Sequence, residues 1–155
     1  MNAIFYVLKH INEQDEAELD KSIPAHFDLA ARLAADQFRL GKRVFIYTNG
    51  TTDSHVIDEY LWSFEANSFV PHNLQGEGPA NGAPVEIGHS TPVGNRKVLI
   101  NLATNVPDFI NRFNQVFDFV PDDQMLKQAA RDRYKYLRQM GVNMTTQDIE
   151  TKSNS

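Results

Sequence analysis

Residues 22–48 read SIPAHFDLAARLAADQFRLGKRVFIYT, and this stretch decides the fold. Phe27, Ala30, Ala31, Ala34, Ala35 and Phe38 recur at the three- and four-residue steps that place them on one helical face. Ser22 stands where an N-cap is expected, and Pro24 falls near the first turn. Gly41 closes the helix. The chain then passes directly into Arg43–Thr48, where Val44, Phe45, Ile46 and Tyr47 are apolar without alternation. Strands apolar on both sides are covered on both faces, which is the habit of parallel sheets.

The same alternation continues outward. Ala3–Leu8 is a second continuously apolar strand, joined to the helix by a polar, acidic connection up to Lys21. Asn49-Gly50 is a turn, and a helix is expected from about Thr52 to Trp62 with Val56, Ile57, Tyr60 and Leu61 inside. Phe69–Glu86 holds three Pro and three Gly and reads as mostly loop. Pro84–Ile87, Val98–Asn101 and Gln115–Val120 read as strands, and Val106–Phe113 as a short helix starting near Pro107. A last long helix runs from about Asp123 to Met140 and stops at Gly141. Together these elements predict an α/β fold of Rossmann-like plan: a mainly parallel sheet, helices on both faces, one domain over residues 1–144. Thr145–Ser155 is polar, lacks aromatics, and is expected to be a disordered tail.

Composition narrows the function. The chain has 155 residues, net charge −5 and no Cys, so disulfides and thiolate chemistry are excluded. No stretch approaches 18 apolar residues and no leader pattern opens the chain, so a cytoplasmic protein is expected. The acidic balance argues against wholesale binding to nucleic acid, and a local basic patch on such a chain suits an acidic peptide better than a duplex. Gly76-Glu77-Gly78-Pro79 is not a phosphate loop, because Glu77 repels phosphate and Pro79 lacks an amide donor. There is no nucleophile elbow, and Ser54 and His55 are adjacent within a helix. His10, His26, His55, His72 and His89 are scattered without metal-ligand spacing. No catalytic set, metal or cofactor is expected.

Two features remain. Between Leu126 and Arg138 stand five cations and one acid, net +4 in a chain of −5. Lys127, Arg131, Tyr134, Lys135 and Arg138 fall within an arc of roughly 100° on the last helix. Leu126, Ala130, Leu137 and Met140 fall on the other side. Such a helix packs by one face and holds an anion on the other, or is simply solvated. The second feature is a repeated pattern, Ser68-Phe69-Val70-Pro71 and Asp118-Phe119-Val120-Pro121. It marks either two core strands that end at Pro or, with Trp62, one exposed apolar patch that meets a protein.

The stretch WSFEANSFVPHNLQGEGPANGAPVEI, Trp62–Ile87, closely resembles the chi subunit family of bacterial DNA polymerase III holoenzyme. So do the FDFVPDD and LKQAARDRYKYLRQMG runs from Phe117 on, Phe5-Tyr6-Val7-Leu8, and Gly41-Lys42-Arg43-Val44. The resemblance covers roughly Ala3 to Met144; Ser90–Arg96 and the segment after Thr145 fall outside it. It implies a non-catalytic adaptor in the bacterial replisome. Such an adaptor pairs with the psi subunit of the clamp loader and binds the acidic C-terminal tail of single-stranded DNA-binding protein. The implied tail-binding residues are Lys127, Arg131, Tyr134 and Lys135, and the implied psi contacts are Trp62, Phe69, Pro71 and Val120. Nucleic acid is then met only through the tail. The rival readings are a Rossmann-like small-molecule enzyme or sensor, which needs a polar crevice at the strand ends, and direct binding of single-stranded DNA. The second is weakened by the lone Tyr134 on the charged arc, since stacking platforms use several aromatics.

Overall fold

A computed structural model describes residues 1–9, 23–63 and 69–150. The Ser22 cap and the acidic connection before it lie outside the described residues. Seven strands form one sheet: β1 (Asn2–Lys9), β2 (Val44–Tyr47), β3 (His72–Leu74), β4 (Val85–Gly88), β5 (Val98–Asn101), β6 (Gln115–Val120) and β7 (Asn143–Glu150). Their order is β3-β4-β2-β5-β6-β1-β7. Every pairing is parallel. The continuous apolar runs therefore have the expected cause: β2, β4 and β5 are buried on both sides.

Among the described residues, three α-helices cover the sheet. α1 (Ala25–Arg39) and α2 (Thr51–Ser63) lie on one face with Tyr6, Ile46, Val85, Ile100 and Phe117. Ala30, Ala31, Ala34 and Ala35 are all fully buried, so α1 approaches the sheet closely. α3 (Gln124–Gln139) packs on the opposite face with Phe5, Phe45, Leu99 and Val116. Both α1 and α3 end in the same glycine-dependent closure. Gly41 at φ +77° and Gly141 at φ +86° turn the chain back. The next amides, Lys42 and Val142, then bond the carbonyls of Gln37 and Leu137.

Three expectations need correction. The segment from Thr145 is ordered strand as far as Glu150, pairing with β1 from Asn2↔Asn143 to Lys9↔Glu150. An edge strand needs little apolar content. Met144 packs on one face of the sheet and Ile149 on the other, and these suffice for a segment whose other side chains stay in water. Residues 151–155 lie outside the described residues. Val106–Phe113 forms only one 3₁₀ turn, Ile110–Arg112. Phe109 is drawn instead against Phe45 and Tyr47, at ring distances of 6.0 and 5.4 Å, and Phe113 is buried. Within the Phe69–Glu86 loop, three residues form β3 beside β4.

That loop is fastened by Arg96, at the end of the Ser90–Arg96 turn. Arg96 is fully buried and donates to the carbonyls of Val44, Pro84, Asn81 and Ala83 at 2.7–3.1 Å. Its Nε lies 3.7 Å from Glu86 Oε1. Gly82 leaves the space: a Cβ there would strike Arg96 and Glu86. Arg96→Met should lower the unfolding free energy by about 3–5 kcal/mol, the cost of orphaning a buried partner. Urea titration checks this, with the exposed Arg112→Met expected to stay within about 1 kcal/mol.

Candidate functional site

The site is built on α3. Asp123 caps its first turn, accepting from the Leu126 amide at 2.9 Å. Its rotation about its own axis is fixed by Arg133, which is buried and forks onto Asp118 of β6 with contacts of 2.9–3.2 Å. Arg133 also donates to the carbonyls of Thr104 and Phe119, each at 3.0 Å. Burial pushes the Asp118 carboxyl above the usual carboxylate range, while Arg133, Asn101 and the Phe119 amide pull it back. Arg133 is thus a structural cation, although it counts among the five in the basic run.

With Arg133 inside, the stripe faces water. Arg131, Lys135 and Arg138 are exposed, and no acid among the described residues pairs with them. Lys127 is half-exposed and already bound to Asp122 at 2.9 Å. Tyr134 is half-buried, its ring edge-on to Phe5 at 5.3 Å. The arrangement is three free cations and a fourth that must exchange its partner, beside an apolar wall. Chemically it suits a carboxylate-bearing chain. Met140, expected inside, is 39% exposed beyond the last turn.

The second group of residues is only partly brought together. Trp62 and Phe69 are 61% and 60% exposed, with rings 5.5 Å apart. Phe69 is the one exposed phenylalanine among the described residues. Pro71 is half-buried just before β3. Beneath Trp62, at 4.6 Å, lies the buried ring of His72, whose nitrogens meet the carbonyls of Val70 and Asp58 at 2.7 and 3.1 Å. Val120 does not join this patch. It ends β6, four strands away from β3 and at the opposite end of the sheet. At about 4.8 Å per strand and about 3.3 Å per residue along the strand, that is more than about 20 Å. The reason is topological: all strands run one way, so a segment entering β3 and a segment leaving β6 sit at opposite ends. Val120 instead packs against the same cluster as Tyr134, beside the stripe. Asp118, Arg133 and the Val120 placement escaped the sequence reading. The one usable signal was an acid interrupting the apolar Gln115–Val120 run, which in a doubly covered strand demands a buried cation.

A crevice lies where such folds hold ligands, at the carboxyl ends of β5 and β6. It is a cavity of about 210 Å³ lined by His26, Asn49, Asp53, Asn101, Thr104 and Arg133 among others. This is smaller than the roughly 300 Å³ at which small-molecule sites begin. Its cation is committed to Asp118, and Asp53 disfavours an anion. Among the described residues no three His, Asp or Glu side chains are placed to hold a metal ion. No helix among them is long and apolar enough to cross a membrane.

Comparison with known proteins matches residues 1–145 to the family described as DNA polymerase III chi subunit, HolC. "DNA polymerase III subunit chi" of Escherichia coli (strain K12) is 43% identical over 147 residues, 94% of this chain and 96% of that protein. The protein of the same name from Haemophilus influenzae is 43% identical over 124 residues, 79% of this chain and 86% of that one. That of Pseudomonas aeruginosa is 36% identical over 118 residues, 76% and 82% of the two chains. Among solved structures, the crystal structure of T4 UvsW superimposes with a TM-score of 0.64 at 11% identity. It covers 96% of this chain and 41% of that one, a likeness of fold alone.

The crevice generates a pH prediction. Burial, then the charge of Arg133, lowers the His26 imidazole to about 4 from its ordinary 6.5. The folded state thus holds His26 neutral where the unfolded chain would protonate it. Its contribution is complete above pH 6.5 and is lost as pH falls toward 4, by up to about 3 kcal/mol. In urea titrations at pH 7 and pH 4, His26→Gln should lose less stability on acidification than the unaltered chain; equal losses would refute this.

Proposed function

The chain belongs to the DNA polymerase III chi subunit family, and from that premise we propose that it is a non-catalytic, cytoplasmic adaptor. The stripe of Lys127, Arg131, Tyr134 and Lys135 takes the acidic C-terminal tail of single-stranded DNA-binding protein. The Trp62, Phe69 and Pro71 patch takes the psi subunit. The observation that carries the first assignment is the set of exposed, unpaired cations on one flank of α3 in a chain that is acidic elsewhere.

Arg131 sits between Lys127 one turn before and Lys135 one turn after. Its planar fork suits a terminal carboxylate, whereas the lysines act as point charges. Val120 and the exposed part of Tyr134 offer apolar surface for the last side chain of the tail, so Val120 belongs with this site rather than with psi. Each contact is solvent-screened and individually weak. Useful strength comes from the many tails on coated single-stranded DNA. For psi, the paired rings of Trp62 and Phe69 supply the aromatic anchor typical of hot spots.

Calorimetry with the tail peptide tests the stripe. Arg131→Ala should weaken binding about five- to tenfold, scaled to an exposed charge-assisted contact. Lys127→Ala should cost less, because Lys127 must first leave Asp122. Arg131→Lys should also weaken the complex, and added salt should weaken the unaltered one. Unchanged affinity for Arg131→Ala, or equal binding of a peptide with its acids amidated, would sink the assignment. Separately, Phe69→Ala should abolish co-purification with psi while tail affinity stays within twofold, roughly 0.4 kcal/mol. Val120→Ala should do the reverse, weakening the tail and sparing psi.

A further inference from the structure

α3 has a second exposed flank, unlike the first. Asp132, Met125, Tyr136, Ala129 and Met140 fall within an arc of roughly 80°, on the side of the helix away from the cations. Met125 is 83% exposed and Tyr136 51% exposed. This flank borders a groove of about 450 Å³, closed on its other side by the loop after β5. Val106, Ala129 and the Tyr136 ring give it apolar walls.

Two carboxylates line the same groove, Asp108 and Asp132. Asp108 is exposed and has no ion pair among the described residues. Among the described residues, Asp132 accepts only the Gln128 amide, at 3.1 Å. Arg133 reaches the groove but cannot neutralise them, since its charge is matched by Asp118 and all but one of its N–H groups are spent. The groove therefore carries two uncompensated negative charges around an apolar floor.

We propose that this groove docks a segment of another protein that carries a Lys or Arg beside an apolar side chain. The cation lies between Asp108 and Asp132 while the apolar group enters between Val106, Ala129 and Tyr136. Charge complementarity selects this occupant. One helix then serves two ligands of opposite charge, an acidic one on the stripe and a basic one on the groove. The groove assignment does not depend on what the stripe binds.

The test uses the ¹⁵N-labelled full chain and two capped probe peptides, Lys-Leu-Leu-Lys and Glu-Leu-Leu-Glu. The basic probe should shift the amides of Val106, Asp108, Ala129 and Tyr136, and leave those of Arg131 and Lys135 in place. Asp108→Asn with Asp132→Asn should weaken it about three- to tenfold, as two exposed charge pairs do. Glu59→Gln with Asp148→Asn removes the same charge elsewhere and should weaken it less than twofold, and Tyr136→Ala should weaken it without altering the charge. Absence of shifts, equal binding of the acidic probe, or equal weakening by the two double variants overturns the proposal. So does sedimentation showing self-association that Asp108→Asn with Asp132→Asn abolishes, which would make the occupant a second copy.

Discussion

The buried fork between Arg133 and Asp118 is the contact on which the working surfaces depend. A carboxylate in the middle of a doubly covered strand is costly unless a cation reaches it. Only α3 supplies one, with contacts of 2.9–3.2 Å. Meeting that demand fixes the helix in rotation and in register along β6. Arg131 lies two residues away, or about 200° around the axis, so a helix that turns Arg133 inward must turn Arg131 outward. Leu137 and Val142 would tolerate a range of angles as apolar contacts. The fork does not, and it also ties the loop after β5 through Thr104 to the same side chain. A polar network satisfied by several partners specifies one arrangement where an apolar seam permits several.

Much of this was legible in the sequence, for reasons specific to each part. The strands at Val44–Tyr47 and Val98–Asn101 declared themselves because parallel strands covered on both sides are largely apolar, and runs so short, bounded by turn residues, are too brief for helices. The stripe was legible because its residues are local: Lys127 to Arg138 share one helix, and helical geometry alone brings them together. The Trp62 patch was half legible. Phe69 is seven residues from Trp62, but the relation of either to Val120 depends on strand order, which local patterns do not encode. β7 escaped because an edge strand in water looks like a polar tail. Arg96 escaped because its partners are backbone carbonyls, which leave no mark in a sequence.

The two candidate surfaces stand apart for a mechanical reason. The Trp62–Phe69 pair lies where α2 runs out, beside the edge strand β3. The stripe lies on the other face, over β1 and β6. Between them is a seven-stranded sheet pinned by Arg96 on one side and Arg133 on the other. Under the proposed adaptor role, such a body is a spacer between two binding surfaces. On that reading the sheet separates the two surfaces, and neither shares a residue with the other.

The order of the strands sets a timetable for synthesis. β1 leaves the ribosome ahead of the other strands of this sheet, yet both its neighbours, β6 and β7, come last of the seven. Its apolar side chains Phe5, Tyr6 and Leu8 have no lateral partner until Gln115 has emerged. At roughly 5–20 residues per second that is a wait of about 5–20 s. During that interval β2 and the strands around it can assemble, but the sheet cannot be completed. A nascent chain of this topology thus carries an unpaired apolar strand through more than a hundred residues of synthesis, with Tyr6 and Leu8 on the face that α1 covers and Phe5 on the face that waits for α3.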